Sequence, residues 1–206
     1  MNYFLASQSP RRRELLKYLL DDFVSYSSDI SETLSNGGEQ DIEAQLMSLA
    51  FQKAFALEQR LRTESKIEKG DLVIGSDTIV LTDRIMEKPK DEEDAFAMLT
   101  ALSGREHTVL TSIAVIKSGC DQSIVDISRT KVYFRNLSPQ EIRDYIASGE
   151  PMDKAGSYGI QGKGAKLIHR IEGDFYAVMG LPISLLYEIL KRLDAETGSE
   201  GGSERE

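Results

Sequence analysis

"DLVIGSDTIVLTD", residues 71–83, is rich in β-branched and other apolar residues and reads as a strand closed by a turn, yet it carries an aspartate, Asp77, in its interior. Aspartate is depleted inside strands, and a carboxylate taken out of water needs a cation, a metal ion being one candidate. The ordinary alternative is a bulge or strand end with a hydrogen-bonded aspartate. Gly75, two residues before, leaves room for another group to come close.

Working outward, residues 2–6 read as a strand that enters a helix through "SQSPRRRELL" (7–16), with Ser9 as N-cap and Pro10 in the first helical position. Residues 23–28 read as a second strand, 29–38 as a loop around Asn36-Gly37-Gly38, and 40–63 as a long helix. Beyond residue 83 come a helix over 91–102, two long antiparallel strands over 106–117 and 122–134, and a helix over 138–149 opened by a Ser138–Glu141 capping box. Residues 155–180 read as glycine-punctuated and strand-like, and 181–193 as an amphipathic closing helix. Helices and hairpins alternate without a repeat. The expected class is therefore α/β (mixed α+β), as one domain over 1–193 with a disordered acidic tail over 194–206.

The chain has 206 residues and a formal charge of −9, of which the tail "DAETGSEGGSERE" contributes five acids and one arginine. An acidic body argues against a nucleic-acid polymer held by bulk charge, though not against a small anion in a local basic pocket. The lone Cys120 rules out an intrachain disulfide. No apolar run approaches a membrane span and the N-terminus carries no signal-peptide pattern, so a cytoplasmic protein is expected.

Four features break structural preference. Arg11, Arg12 and Arg13 crowd the first turn of a helix, where carboxylates are the usual neighbours; guanidiniums there suit phosphate, and Arg13 reads as solvated surface. Lys53 falls in the middle of the apolar stripe made by Ile42, Leu46, Leu49 and Leu57, so it must either snorkel or meet an anion. Asp77 is the third, and Glu32, in the loop after the second strand, could supply another carboxylate. The fourth is "EPMDKAGSYGIQGKGAKLI" (150–168). There Gly156, Gly159, Gly162 and Gly164 could bring backbone N–H groups to a ligand, with Lys154 and Lys163 adding charge and Gln161 a polar amide. His107 and His169 are isolated and give little support to a histidine metal site or triad.

Taken together, "LASQSPRRRELL", "IGSDTIV", "EKP", "LSGREHTV", "EPMDKAGSYGIQGKG" and "GDFYAVMGLPI" resemble the Maf family of nucleoside triphosphate pyrophosphatases, in family order over about residues 2–193. The resemblance implies an elongated mixed sheet with flanking helices and a central cleft, related to the inosine-triphosphate pyrophosphatases. It implies hydrolysis between the α- and β-phosphates, dependent on Mg2+ or Mn2+. By motif, Asp77 would be the general base, Glu32 and Asp77 would hold the metal, and Arg12, Lys53 and Lys88 would bind phosphates. Arg11, Thr78 and Gln161 match positions associated with substrate choice, and Ser9 and Lys154 complete the expected substrate-binding set. "GIQG" resembles the branch acting on dTTP and UTP, whereas the 7-methyl-GTP branch tends to carry an acid there. A homodimer, a link to septum formation and a cell-division protein partner are further implications. A 7-methyl-GTP-type enzyme, a non-catalytic nucleotide-binding regulator of division, and a phosphatase releasing single phosphates are the competing readings.

Overall fold

Strand β3 (Leu72–Leu81) is the axis of the computed structural model, which describes residues 1–28, 30, 34 and 39–199. On one side it pairs antiparallel along its full length with β5 (Glu106–Lys117), which in turn pairs with β6 (Gln122–Phe134) and then β7 (Ile168–Glu172). On its other side β1 (Tyr3–Ala6) pairs parallel at Leu72–Ile74, with β2 (Val24–Tyr26) beyond it, while β4 (Ile85–Met86) turns back onto Val80 and Leu81. The described residues thus form one mixed seven-stranded sheet, as the mixed α/β reading expects.

The register leaves a gap. Between Ile74, where β1 stops pairing, and Val80, where β4 begins, that edge of β3 has no strand beside it among the described residues. Asp77 sits inside the gap, on regular strand opposite Ser112 of β5 and not in a bulge.

Two-residue alternation along β3 distributes the core. Leu72 and Ile74 pack with Leu15 and Leu16 of α1 (Pro10–Leu16) and with Leu186, Ile189 and Leu190 of α6 (Ile183–Ser199). On the opposite face Val73 packs with Ala50, Ala54 and Leu57 of α2 (Glu39–Thr63), and Ile79 with Ile42 and Leu46 of the same helix. A fourth cluster joins Val80 to α3 (Glu92–Leu102) and α4 (Pro139–Ile146) through Leu99, Leu102, Ile142 and Tyr145. The caps are those expected: Ser9 accepts from the Arg12 N–H, and the Ser138–Glu141 capping box closes both ways.

Two expectations need correction. Residues 155–180 are strand only at β7; the rest is irregular chain with short 3-10 turns at Ala155–Ser157 and Gly162–Leu167 and the helix α5 (Phe175–Met179). Gly156, Gly162, Gly173 and Gly180 all have positive φ (67°, 71°, 131° and 119°), and such residues turn a chain instead of extending it. The closing helix also does not end at 193 but continues to Ser199, since Asp194, Ala195 and Glu196 bring no breaker to stop it. Residues 200–206, most of the expected loop at 29–38, and with it Glu32, lie outside the described residues. No helix among the described residues is long and apolar enough to cross a membrane.

Candidate active site

The gap beside β3 is the floor of a cleft of about 500 Å3, lined by Ser7, Ser9, Arg11, Arg12, Lys53, Asp77, Thr78, Glu87, Lys88, Asp153 and Gly180 among others. A smaller cavity of about 50 Å3 adjoins it, lined by Lys154, Tyr158, Gly159 and Gln161, and Arg11 borders both. Every described site residue expected from sequence borders one of these two spaces, so positions up to about 150 residues apart meet at one place.

Each element aims one group. Helix α2 lies directly over β3 because Gly75 lets it: a Cβ there would stand 2.2 Å from the Ala50 carbonyl oxygen. The group that the sequence left room for is therefore the helix itself. One turn on, Lys53 points down at the strand, 2% exposed, with Nζ 3.3 Å from Asp77 Oδ1. It does not snorkel. Burying a lone ammonium or carboxylate is costly, whereas the pair offsets much of that cost. The Thr78 N–H also donates to Asp77 Oδ1 at 3.0 Å, tying the carboxylate to its own strand.

The arginine turn resolves residue by residue. Arg11 Nη1 reaches Asp153 at 3.0 Å. Arg12 donates from Nε to the Gly180 carbonyl at 2.8 Å, from Nη1 to Ser7 Oγ at 3.4 Å and from Nη2 to Thr78 Oγ1 at 3.3 Å, and its Nη2 lies 3.8 Å from Asp77 Oδ1. Arg13 is exposed, as expected. With only seven residues in α1, the fixed cations carry more of the local positive potential than the helix dipole does.

Behind Arg12 runs a directed chain of hydroxyls. Thr111, fully buried, donates to the Ala177 carbonyl at 2.7 Å, which uses its one proton. The 3.1 Å contact between Thr111 and Thr78 therefore requires Thr78 to donate, which leaves its oxygen to accept from Arg12. Thr111 carried no signal in the sequence, being an ordinary strand threonine. Asp153 lay in a quoted segment but was overshadowed by the glycines beside it.

Those glycines behave differently from expectation. The Gly156 N–H donates to the Glu87 carbonyl, that of Gly159 to Tyr145 Oη, and that of Gly164 to Glu150 Oε1. Three of the four amides thus serve the protein's own oxygens and not a ligand. Lys154 is likewise engaged, with Nζ 2.6 Å from both the Glu150 carbonyl and Asp153. Gln161 is different: it lines the second cavity, and its Oε1 is buried without a hydrogen-bond partner. Lys88 lines the first cleft from the exposed segment after β4.

Neither histidine enters the cleft. His107 is buried, bonds Tyr158 Oη through Nε2 at 2.7 Å and meets Phe134 and Tyr158 edge-on. Burial drives its pKa down to about 4. Among the described residues no group of three or more His, Cys, Asp or Glu forms a ready metal site. Asp77 nevertheless offers a hard carboxylate oxygen at the cleft floor. That suits Mg2+, which usually takes one or two carboxylates and completes its shell with water and substrate phosphates.

Three relatives share most of this chain. A protein of Caldanaerobacter subterraneus is 46% identical over 193 residues, covering 93% of this chain and 89% of its own. One from a Thermoanaerobacter species is 45% identical, with coverage of 93% and 96%. One from Clostridium perfringens is 44% identical over 196 residues, with coverage of 94% and 98%. All three carry the name dTTP/UTP pyrophosphatase. The family model for Maf-like protein matches residues 2–193, which takes in every strand, both cavities and each described residue of the cleft. The chain belongs to the Maf family.

Proposed function

We propose that this protein is a nucleoside triphosphate pyrophosphatase that hydrolyses dTTP and UTP to the monophosphate and pyrophosphate, with a divalent cation. One observation carries the reading: a buried Lys53–Asp77 pair and the guanidinium of Arg12 converge on one cleft, and Gln161, whose amide oxygen has no partner, lines the adjoining chamber. The names borne by relatives of 43–46% identity support the same substrates.

The chemistry asks mainly for positioning and charge neutralisation. Arg12, Lys53 and Lys88 are the cations that would hold the triphosphate and stabilise charge developing on departing pyrophosphate. Asp77 is the carboxylate that would accept a proton from water attacking the α-phosphorus. A bound Mg2+ or Mn2+, held by Asp77 and, outside the described residues, Glu32, would screen the phosphate oxygens and acidify a water. Arg11 stands between the two chambers, where the sugar and base would pass from one to the other. Gln161 offers an acceptor and a donor from one amide, matching the alternating N3–H and carbonyl edge of thymine or uracil.

The test is pyrophosphate release from a panel of dTTP, UTP, CTP, dGTP, ITP and 7-methyl-GTP with Mg2+, and with EDTA as control. Preference for dTTP and UTP, abolished by EDTA, is the expected result. Preference for 7-methyl-GTP would overturn the part given to Gln161, and orthophosphate as the sole product would indicate a phosphatase.

A further inference from the structure

Gln161 is the middle residue of a clamped loop, and the clamp is one carboxylate. Glu150 follows the αL glycine Gly149 at the end of α4. Its Oε2 accepts from the Lys163 N–H at 2.9 Å, and its Oε1 from the Gly164 N–H at 3.0 Å. Oε1 also accepts from Tyr145 Oη at 3.0 Å, and Tyr145 Oη in turn accepts from the Gly159 N–H at 3.0 Å. Loop amides on both sides of Gln161 thus end on one linked pair of side chains. Tyr145 is fully buried, so this end of the clamp is anchored in the core formed by α3 and α4. Burial is the largest single effect on Glu150 and opposes its charge, yet the Lys163 and Gly164 N–H donors, the Tyr145 hydroxyl and the Lys154 ammonium together hold the carboxyl below its usual range.

The loop is shaped around this carboxylate. Gly162 has φ of 71°, and a Cβ on it would lie 2.8 Å from Glu150 Oε2. A Cβ on Gly164 would lie 2.2 Å from the Gly159 carbonyl oxygen and 2.8 Å from Tyr145 Oη. The glycines that flank Gln161 are therefore required by the clamp. The anion that these loop amides bind is Glu150.

We propose that Glu150, relayed by Tyr145, is a positioning residue that fixes Gln161 at the wall of the second cavity and so sets selection of the pyrimidine base. This rests on the base-reading part given to Gln161 above. Glu150 lines neither cavity. It acts only through the loop.

The test is a double-mutant cycle with Glu150→Gln, Gln161→Ala and the pair, measured as kcat and KM for dTTP and as inhibition by inorganic tripolyphosphate. An amide in place of the carboxylate turns an N–H toward a donor and weakens charge-assisted bonds. KM for dTTP should rise on the order of tenfold with kcat nearly kept. The preference for dTTP over dGTP should narrow, tripolyphosphate inhibition should stay unchanged, and Glu150→Gln should add nothing once Gln161 is alanine. Additive losses, an equal loss of tripolyphosphate affinity, or a Gln161→Ala variant with unaltered KM would each overturn the proposal. Tyr145→Phe keeps the buried ring and removes one link; it should reproduce the change in preference even if Glu150→Gln does not fold, and an unchanged preference would count against the clamp. No pyrophosphate from dTTP with the unaltered chain would instead remove the functional reading itself.

Discussion

At the scale of single residues, what identifies the cleft is a set of side chains each set against its local preference. An aspartate inside a strand, a lysine on an apolar helix stripe and arginines in a first turn are costly one by one. They become explicable only when Lys53 Nζ is found 3.3 Å, and Arg12 Nη2 3.8 Å, from the same Asp77 oxygen. That mutual compensation is why these positions were legible in sequence. Residues that obey their local rules were not. Thr111 suits a strand, and Glu150 is one acid among many whose loop partners lie 13 and 14 residues away. If Asp77 takes the proton, Asp77→Asn should lower kcat by about a hundredfold or more. Affinity for a nonhydrolysable triphosphate analogue, measured on the variant by calorimetry without added metal, should hold or tighten, since one negative charge leaves the cleft. Near-wild-type turnover would remove the aspartate from the chemistry.

At the scale of elements, periodicity read the helices and long strands well because burial follows it: β3 alternates between the α6 face and the α2 face residue by residue. It failed over 155–180, where strand-like composition is overruled by glycines at positive φ, and it could not show that β1 and β4 leave an unpaired stretch of β3 between them. That gap depends on register, which strand patterns alone do not reveal. The close seat of α2 on β3 makes a sharp prediction. Gly75→Ala would force a methyl to within 2.2 Å of the Ala50 carbonyl oxygen. The helix must lift, at a cost on the order of 3 kcal/mol measured by urea unfolding. Because the same helix carries Lys53, activity should fall more than stability loss alone accounts for. A variant of unchanged stability would show that this contact is not tight.

At the scale of the whole molecule, four apolar clusters around one sheet hold a polar cleft open at the sheet's interrupted edge. Acid should weaken that assembly in a defined window. His107 is kept neutral by burial, its pKa lowered from 6.5 to about 4, so between those values the unfolded chain binds the extra proton. Stability should therefore rise with pH across that window and be lost on acidification, by roughly 3 kcal/mol from this group. Glu150, also held below its usual range, works in the same direction. Thermal melts from pH 7 to pH 4.5, repeated with His107→Phe, should show a shallower fall in the variant; identical slopes would place the acid sensitivity elsewhere. The central claim is that cations, a carboxylate and a base-reading amide act together on the bond between the α- and β-phosphates. The most direct measurement is 31P NMR of dTTP hydrolysed in 18O-enriched water with Mg2+: the label should appear in dTMP, with unlabelled pyrophosphate. Label in pyrophosphate, or dTDP and labelled orthophosphate, would contradict it.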